Sequence, residues 1–132
     1  MDISRKSLKP FKAIANFGLL RVYSEELLSK DHIIKEIQAY QIQLIKEKKI
    51  FLSVSISESL VVLSNQNEPH INLNFINYPR FPLDPLILKL VIESLVKKLM
   101  DIFNQNRVVI EYHDETVMLE YSEEVDPKIK PE

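Results

Sequence analysis

The chain has 132 residues, 45% hydrophobic and 27% charged, enough for one domain with a core of its own and too little for two. A formal charge of −2 gives no general attraction to a phosphate backbone, and the absence of cysteine excludes disulfides, thiolate metal sites and a cysteine nucleophile. With Gly18 as the only glycine there is no glycine-rich loop to cradle phosphate, so P-loop and Rossmann fingerprints are absent and the turns must use Asn, Asp, Ser and Pro.

Residues 1–15 read as a flexible basic arm, with Arg5, Lys6, Lys9 and Lys12, interrupted by Pro10 and docked by Phe11 and Ile14. No apolar run long enough for a signal core or membrane span follows, and the lack of cysteine suits a cytoplasmic protein. Phe17–Tyr23 predicts a first strand. Ser24 then fits an N-cap, with Glu25 and Glu26 in the first turn, for a helix running to about Lys48. Ile33, Ile37, Tyr40 and Leu44 form its apolar side, widened by Ile34 and Ile45, and Ser29–Asp31 marks a kink or restart with Asp31 as a second cap. Ile50–Ile56 and Leu60–Ser64 predict a hairpin around Glu58-Ser59, with Ile56 facing Val61 and Val54 facing Leu63. Asn65–Pro69 reads as a polar loop. His70–Asn77 alternates Ile71, Leu73 and Phe75 against His70, Asn72 and Asn74, the period of a half-buried strand.

The prolines of Tyr78-Pro79-Arg80-Phe81-Pro82 frame a rigid loop, after which Asp84 caps and Pro85 opens a second helix to about Phe103. Lys89, Glu93, Lys97 and Asp101 make one narrow polar stripe on it, and nearly everything else is apolar. One sheet face covers a helical stripe of only ~100°, so the other helix or a second subunit is expected to cover the remainder. Asn104-Gln105-Asn106 ends the helix. A last hairpin, Arg107–His113 and Thr116–Tyr121, is expected around a two-residue Asp114-Glu115 loop, pairing Tyr112 with Val117, Ile110 with Leu119 and Val108 with Tyr121. Residues 123–132 are an acidic, proline-containing tail. The whole predicts a single α+β domain over residues 16–122, one mixed or antiparallel sheet with two helices on one face, in the repeated order β-α-β-β / β-α-β-β.

No catalytic residue and no metal set stands out. His32, His70 and His113 are read as forming no local metal pair, with His113 beside Asp114 and Glu115 taken as an exposed hairpin tip. Glu111 and Glu120 project from one hairpin face with Arg107 near them, a pair that does acid–base work only if a pocket raises one pKa. Tyr78 and Arg80, held between prolines, are candidates for binding a carboxylate or phosphate. Ser53, Ser55, Asn72 and Asn74 form a short, uncharged sheet face that another chain can approach closely. The element order from Ser24 to Tyr121 is similar to that of small acidic secretion chaperones, which are dimers and bind partner chains without catalysis. It is also similar to that of tautomerase-like proteins, which are trimers and use the amine of a proline after the initiator Met. Here position 2 is Asp2 and Pro10 is internal, so that base is missing. Both resemblances rest on element order, with no specific residues. These features favour a non-enzymatic homo-oligomer that binds a protein partner, with no cofactor, nucleic acid or membrane. The alternative is a small-molecule-binding protein or small enzyme with its pocket at Tyr78, Arg80, Arg107 and Glu111.

Overall fold

The computed structural model describes residues 2–21 and 24–124. Their elements are β1 (Lys12–Gly18), α1 (Lys30–Lys48), β2 (Ser55–Leu63), β3 (Gln66–Ile76), α2 (Pro85–Phe103), β4 (Arg107–Tyr112) and β5 (Thr116–Glu120). The strands make one sheet in the order β2-β3-β1-β4-β5, with every neighbouring pair antiparallel. One strand lies between β1 and β2, and one between β3 and β4, so two β-α-β units interleave as in a split β-α-β arrangement. The expected α+β fold is what forms.

Helix α2 is the centre of the core. The Asp84 carboxylate accepts from the Leu86 N–H at 2.9 Å, Pro85 takes the first turn, and Asn104 closes the helix at φ 52°. Leu88, Val91, Ile92, Leu95, Val96, Leu99, Met100 and Phe103 are buried against Ala13, Ala15, Phe17, Leu73, Phe75 and Ile110 of the sheet in one cluster. Each large aliphatic side chain so buried contributes about 1.5–3 kcal/mol. Helix α1 adds Ile33, Ile37 and Leu44 to that cluster, and its Tyr40 hydroxyl donates to the Val91 carbonyl of α2 at 3.4 Å. It does not reach the start of α2, where Leu86 and Leu90 remain 72% and 70% exposed.

Four expectations need correcting. Strand β1 begins at Lys12, inside the stretch assigned to the arm, and Phe11, Ala13, Ala15 and Phe17 are buried in alternation. Two of those four are alanines, too weak an apolar signal to mark the central strand. Val22 and Tyr23, expected to end the first strand, lie outside the described residues, as does the expected tail from 125 onward. Helix α1 starts at Lys30, where the Ser29 hydroxyl caps the His32 N–H at 3.2 Å. Ser24 belongs instead to a tight excursion between β1 and α1, held by Arg21 N–H to the Glu26 carbonyl at 2.8 Å and Leu28 N–H to the Leu19 carbonyl at 2.6 Å.

The predicted hairpin at Glu58-Ser59 is a single strand. Ser57 and Ser59, read as turn residues, hydrogen bond across to Asn74 and Asn72 at 3.2 and 3.0 Å. The chain reverses later at Ser64-Asn65, with Ser64 at φ 54°, so most of the expected polar loop is the start of β3. Finally, β4 and β5 pair Val108 with Leu119 and Ile110 with Val117, two residues away from the expected register, around a His113-Asp114 tip closed by Tyr112 N–H to the Glu115 carbonyl at 2.8 Å. A one-residue slip would turn every side chain to the wrong face; a two-residue slip keeps apolar opposite apolar, so alternation cannot tell the two registers apart. Among the described residues no helix is long and apolar enough to cross a membrane.

Candidate functional site

Residues paired across a ladder share a face, so the registers define what the open side of the sheet presents, away from the helices. Asn16 and Gly18 of β1, Glu68 and His70 of β3, and Arg107, Val109 and Glu111 of β4 lie on it together. A cavity of about 720 Å³ opens there, where β1 ends and β3 and β4 begin, with Leu20, Arg21, Ser24 and Glu25 of the excursion on one side and Val61 and Leu63 of β2 on the other.

The one glycine of the sequence lines this cavity, against the flexible end of the Glu68 side chain. A Cβ at Gly18 would collide with the Glu68 carboxylate Oε1 and come 3.3 Å from Gln105 Oε1. Gln105, 7% exposed, is the buried polar residue of the core, and its Nε2 donates to the Leu20 carbonyl at 2.7 Å. Glu68 Oε2 accepts from Gln66 Nε2 at 3.0 Å, while its Oε1 lies 3.8 Å from His70 Nε2. The His70 Nδ1 is buried with no hydrogen-bond partner. On the β4 side, Asn16 Nδ2 donates to Glu111 Oε2 at 3.0 Å and to the Val109 carbonyl at 3.4 Å.

The charges are unevenly committed. Three carboxylates (Glu25, Glu68, Glu111) and two guanidiniums (Arg21, Arg107) line the cavity. Both arginines are engaged within the chain. Arg21 Nε donates to Glu26 at 3.0 Å; Arg107 Nε donates to Glu120 at 3.1 Å, and its Nη2 to the Ser122 and Glu124 carbonyls at 3.2 and 2.6 Å. Glu68 and Glu111 are held by neutral amides, which orient a carboxylate without cancelling its charge. The cavity suits a ligand that is cationic on one side and apolar where it meets Leu20, Val61, Leu63 and Val109.

The four residues singled out in the sequence do not form one site. Arg107 and Glu111 line this cavity. Tyr78 lines a different groove, of about 670 Å³, between α1 and the loops after α1 and β3. Arg80 is exposed in the turn closed by Phe81 N–H to the Tyr78 carbonyl at 3.0 Å. The two regions lie at opposite ends of β3, whose length is on the order of 35 Å at ~3.3 Å per residue. Glu68 and Gln105 were missed because they read as loop and helix-end polarity, and His70 because it read as the polar face of a strand; the one sequence signal near them was the solitary glycine. Two histidine pairs were also overlooked: His32 and Glu36, four apart on α1 and 3.7 Å from each other, and His70 with Glu68. Among the described residues no group of three or more His, Cys, Asp or Glu is placed to hold a metal ion.

No family model matches the chain, and no curated protein does. Two solved structures share its fold. A phage SAM lyase in complex with S-methyl-5′-thioadenosine superposes with a TM-score of 0.68 at 17% identity, over 92% of this chain and 97% of that one. A phage SAM lyase in the apo state gives a TM-score of 0.67 at 19% identity, over 84% and 89%. At these identities what is shared is the fold. The match nonetheless corrects the expectation of a non-enzymatic, partner-binding adaptor: the chains that fold this way over nearly their whole length are enzymes of a small molecule. The match fits the small-molecule alternative better than the adaptor.

Proposed function

We propose that the chain is a small-molecule enzyme that binds a sulfonium nucleoside of the S-adenosylmethionine type in the open-face cavity and acts on it as a lyase. The observation that carries this reading is the near full-length match to a SAM lyase bound to S-methyl-5′-thioadenosine. The cavity adds a second support: a sulfonium is attracted to a carboxylate, and the Glu68 carboxylate lies beside Gly18, oriented by Gln66 Nε2 at 3.0 Å. In such a cleavage the bond between sulfur and the amino-acid arm breaks, and sulfur keeps the electron pair and leaves as the neutral thioether. The arm's carbon is then taken by the arm's own carboxylate, or a neighbouring carbon loses a proton to a base. Either way a positive charge disappears from the sulfur as the bond breaks. Apolar walls that hydrate a cation poorly therefore favour the transition state over the bound reactant.

The test is to incubate the purified chain with S-adenosylmethionine and follow S-methyl-5′-thioadenosine by mass spectrometry. Wild type should release it, and Glu68→Gln should raise the KM for S-adenosylmethionine about tenfold, the worth of one lost charged partner, without lowering kcat, because the attraction fades as sulfur loses its charge, and with unchanged circular dichroism. If no thioether forms and neither nucleoside binds at millimolar concentration, the reading falls.

Self-association and the cytoplasmic location expected from the sequence are kept as parts of this proposal. Leu60, Val61, Val62 and Leu63 on the edge strand β2 are all exposed, and two of them line the cavity. A single-chain mass in light scattering would remove the oligomer from it.

A further inference from the structure

The groove at Tyr78 shares no lining residue with the cavity on the open face. One wall is a shelf of three nearly parallel rings: Phe51 and Phe81 have centroids 4.4 Å apart at 23°, and Tyr78 and Phe81 6.1 Å apart at 20°. All three are 40–44% exposed and none belongs to the core cluster, so packing of the fold does not account for them. The facing wall is α1, where Ile42 and Ile45 are exposed at 66% and 41%.

The walls are fixed in advance. Asn77 brackets the loop after β3 with two bonds, Nδ2 to the Leu83 carbonyl at 2.8 Å and Leu83 N–H to its Oδ1 at 2.9 Å. Gln41 Nε2 holds the loop after α1 through the Leu52 carbonyl at 2.9 Å. A site whose walls are ordered before binding loses little entropy on binding.

No charged residue lines the groove, and three cations neighbour its lining residues along the chain. Lys46 and Lys49 lie one helical turn beyond Ile42 and Ile45, and Arg80 sits in the turn that carries two of the rings. Among the described residues none of these three side chains has an ion pair or a hydrogen bond, so all three charges are open to a ligand. Rings on one side, isoleucines on the other and free cations at the rim define the complementary ligand. We infer that this groove is a second binding site, for a small planar aromatic molecule carrying a negative charge.

The probe is 8-anilinonaphthalene-1-sulfonate, titrated by fluorescence into the native full-length chain at low salt. Saturation at one probe per chain is expected. Phe81→Ala should weaken it about tenfold, the worth of one ring contact, and Ile42→Glu should do at least as much; the latter changes an exposed side chain and leaves the fold intact. Arg80→Ala should weaken binding a further few-fold at low salt and by much less near ~0.5 M salt, where screening removes the rim's attraction. Glu68→Gln should bind the probe like wild type, and S-methyl-5′-thioadenosine should not displace it. The inference is overturned if Ile42→Glu binds the probe as wild type does, or if S-methyl-5′-thioadenosine displaces the probe. Neither result depends on whether the chain cleaves a sulfonium.

Discussion

The sheet has two edges, β2 and β5, each folded back on its inner neighbour in an antiparallel hairpin, and the protein treats them oppositely. The β4–β5 hairpin is tied to α2. Lys89 Nζ lies 2.8 Å from Asp114 and 2.7 Å from Glu115, 4.7 Å above the Tyr112 ring, whose hydroxyl donates to Glu93 at 2.8 Å. About two turns beyond Glu93, Asp101 accepts from the Tyr121 hydroxyl. Three residues of the narrow polar stripe on α2, Lys89, Glu93 and Asp101, are therefore grips on the hairpin. Strand β2 has one comparable tie, Lys30 to Glu58 at 2.7 Å, and all nine of its residues are exposed. Polar residues on a mainly apolar helix can mark where a neighbouring element docks, and the edge beyond their reach stays open.

The largest effect should come from comparing the two hairpins directly. Ile110 of β4 is fully buried, whereas Val62 of β2 is 66% exposed. Ile110→Ala should lower unfolding free energy by about 2–5 kcal/mol. Val62→Ala should change it by no more than about 0.5 kcal/mol, both read from urea melts. If Val62→Ala proves as costly as Ile110→Ala, and the cost grows with protein concentration, a second chain covers β2 and the open edge is an interface.

A smaller loss is expected at Tyr112. Burial first, and then the hydrogen bond to Glu93, hold its phenol protonated far above the ordinary tyrosine range. Because the native value is raised, the stabilisation is complete below the ordinary tyrosine pKa of about 10 and fades as pH climbs through the native value. Tyr112→Phe should cost about 0.5–1.5 kcal/mol at neutral pH. In ultraviolet titration of the wild type, Tyr112 should ionise after the exposed tyrosines.

How much of this was legible in the sequence follows the strength of the local signals. Helix α2 could be placed to the residue because Asp84-Pro85 and Asn104 are chemically specific end signals. Strand β1 was displaced because Ala13 and Ala15 carry half of its buried face, and β2 was cut in two because Ser57-Glu58-Ser59 has the composition of a turn. Both errors have a tertiary cause: the partners that satisfy those serines, Asn72 and Asn74, are 13 to 17 residues away. The cavity was half visible. Arg107 and Glu111 were named, but Gly18, Glu68 and Gln105 converge from three separate segments and only the register of the sheet brings them together.

The grip of Lys89 should be the subtlest to measure, and pH isolates it. Hydrogen bonding to Lys89 holds the Asp114 carboxyl below its ordinary range, so this contribution is present above that range and disappears as pH falls through the native value. Lys89 itself is raised by its hydrogen bonds to Asp114 and Glu115, so its contribution is complete below the ordinary lysine range and is lost as pH rises through its own native value. The grip therefore acts across the whole window between the two. Amide exchange at Val117 and Leu119 should be faster in Lys89→Met than in wild type at neutral pH, and the two should converge toward about pH 2, where carboxylates are protonated. Asp114 in the variant should titrate in the ordinary range. Amides of β2 should not respond to the substitution at any pH, because nothing on α2 reaches that edge. If the exchange difference instead persists in acid, the Lys89 ammonium over the Tyr112 ring holds the hairpin, and the carboxylates only mark the place.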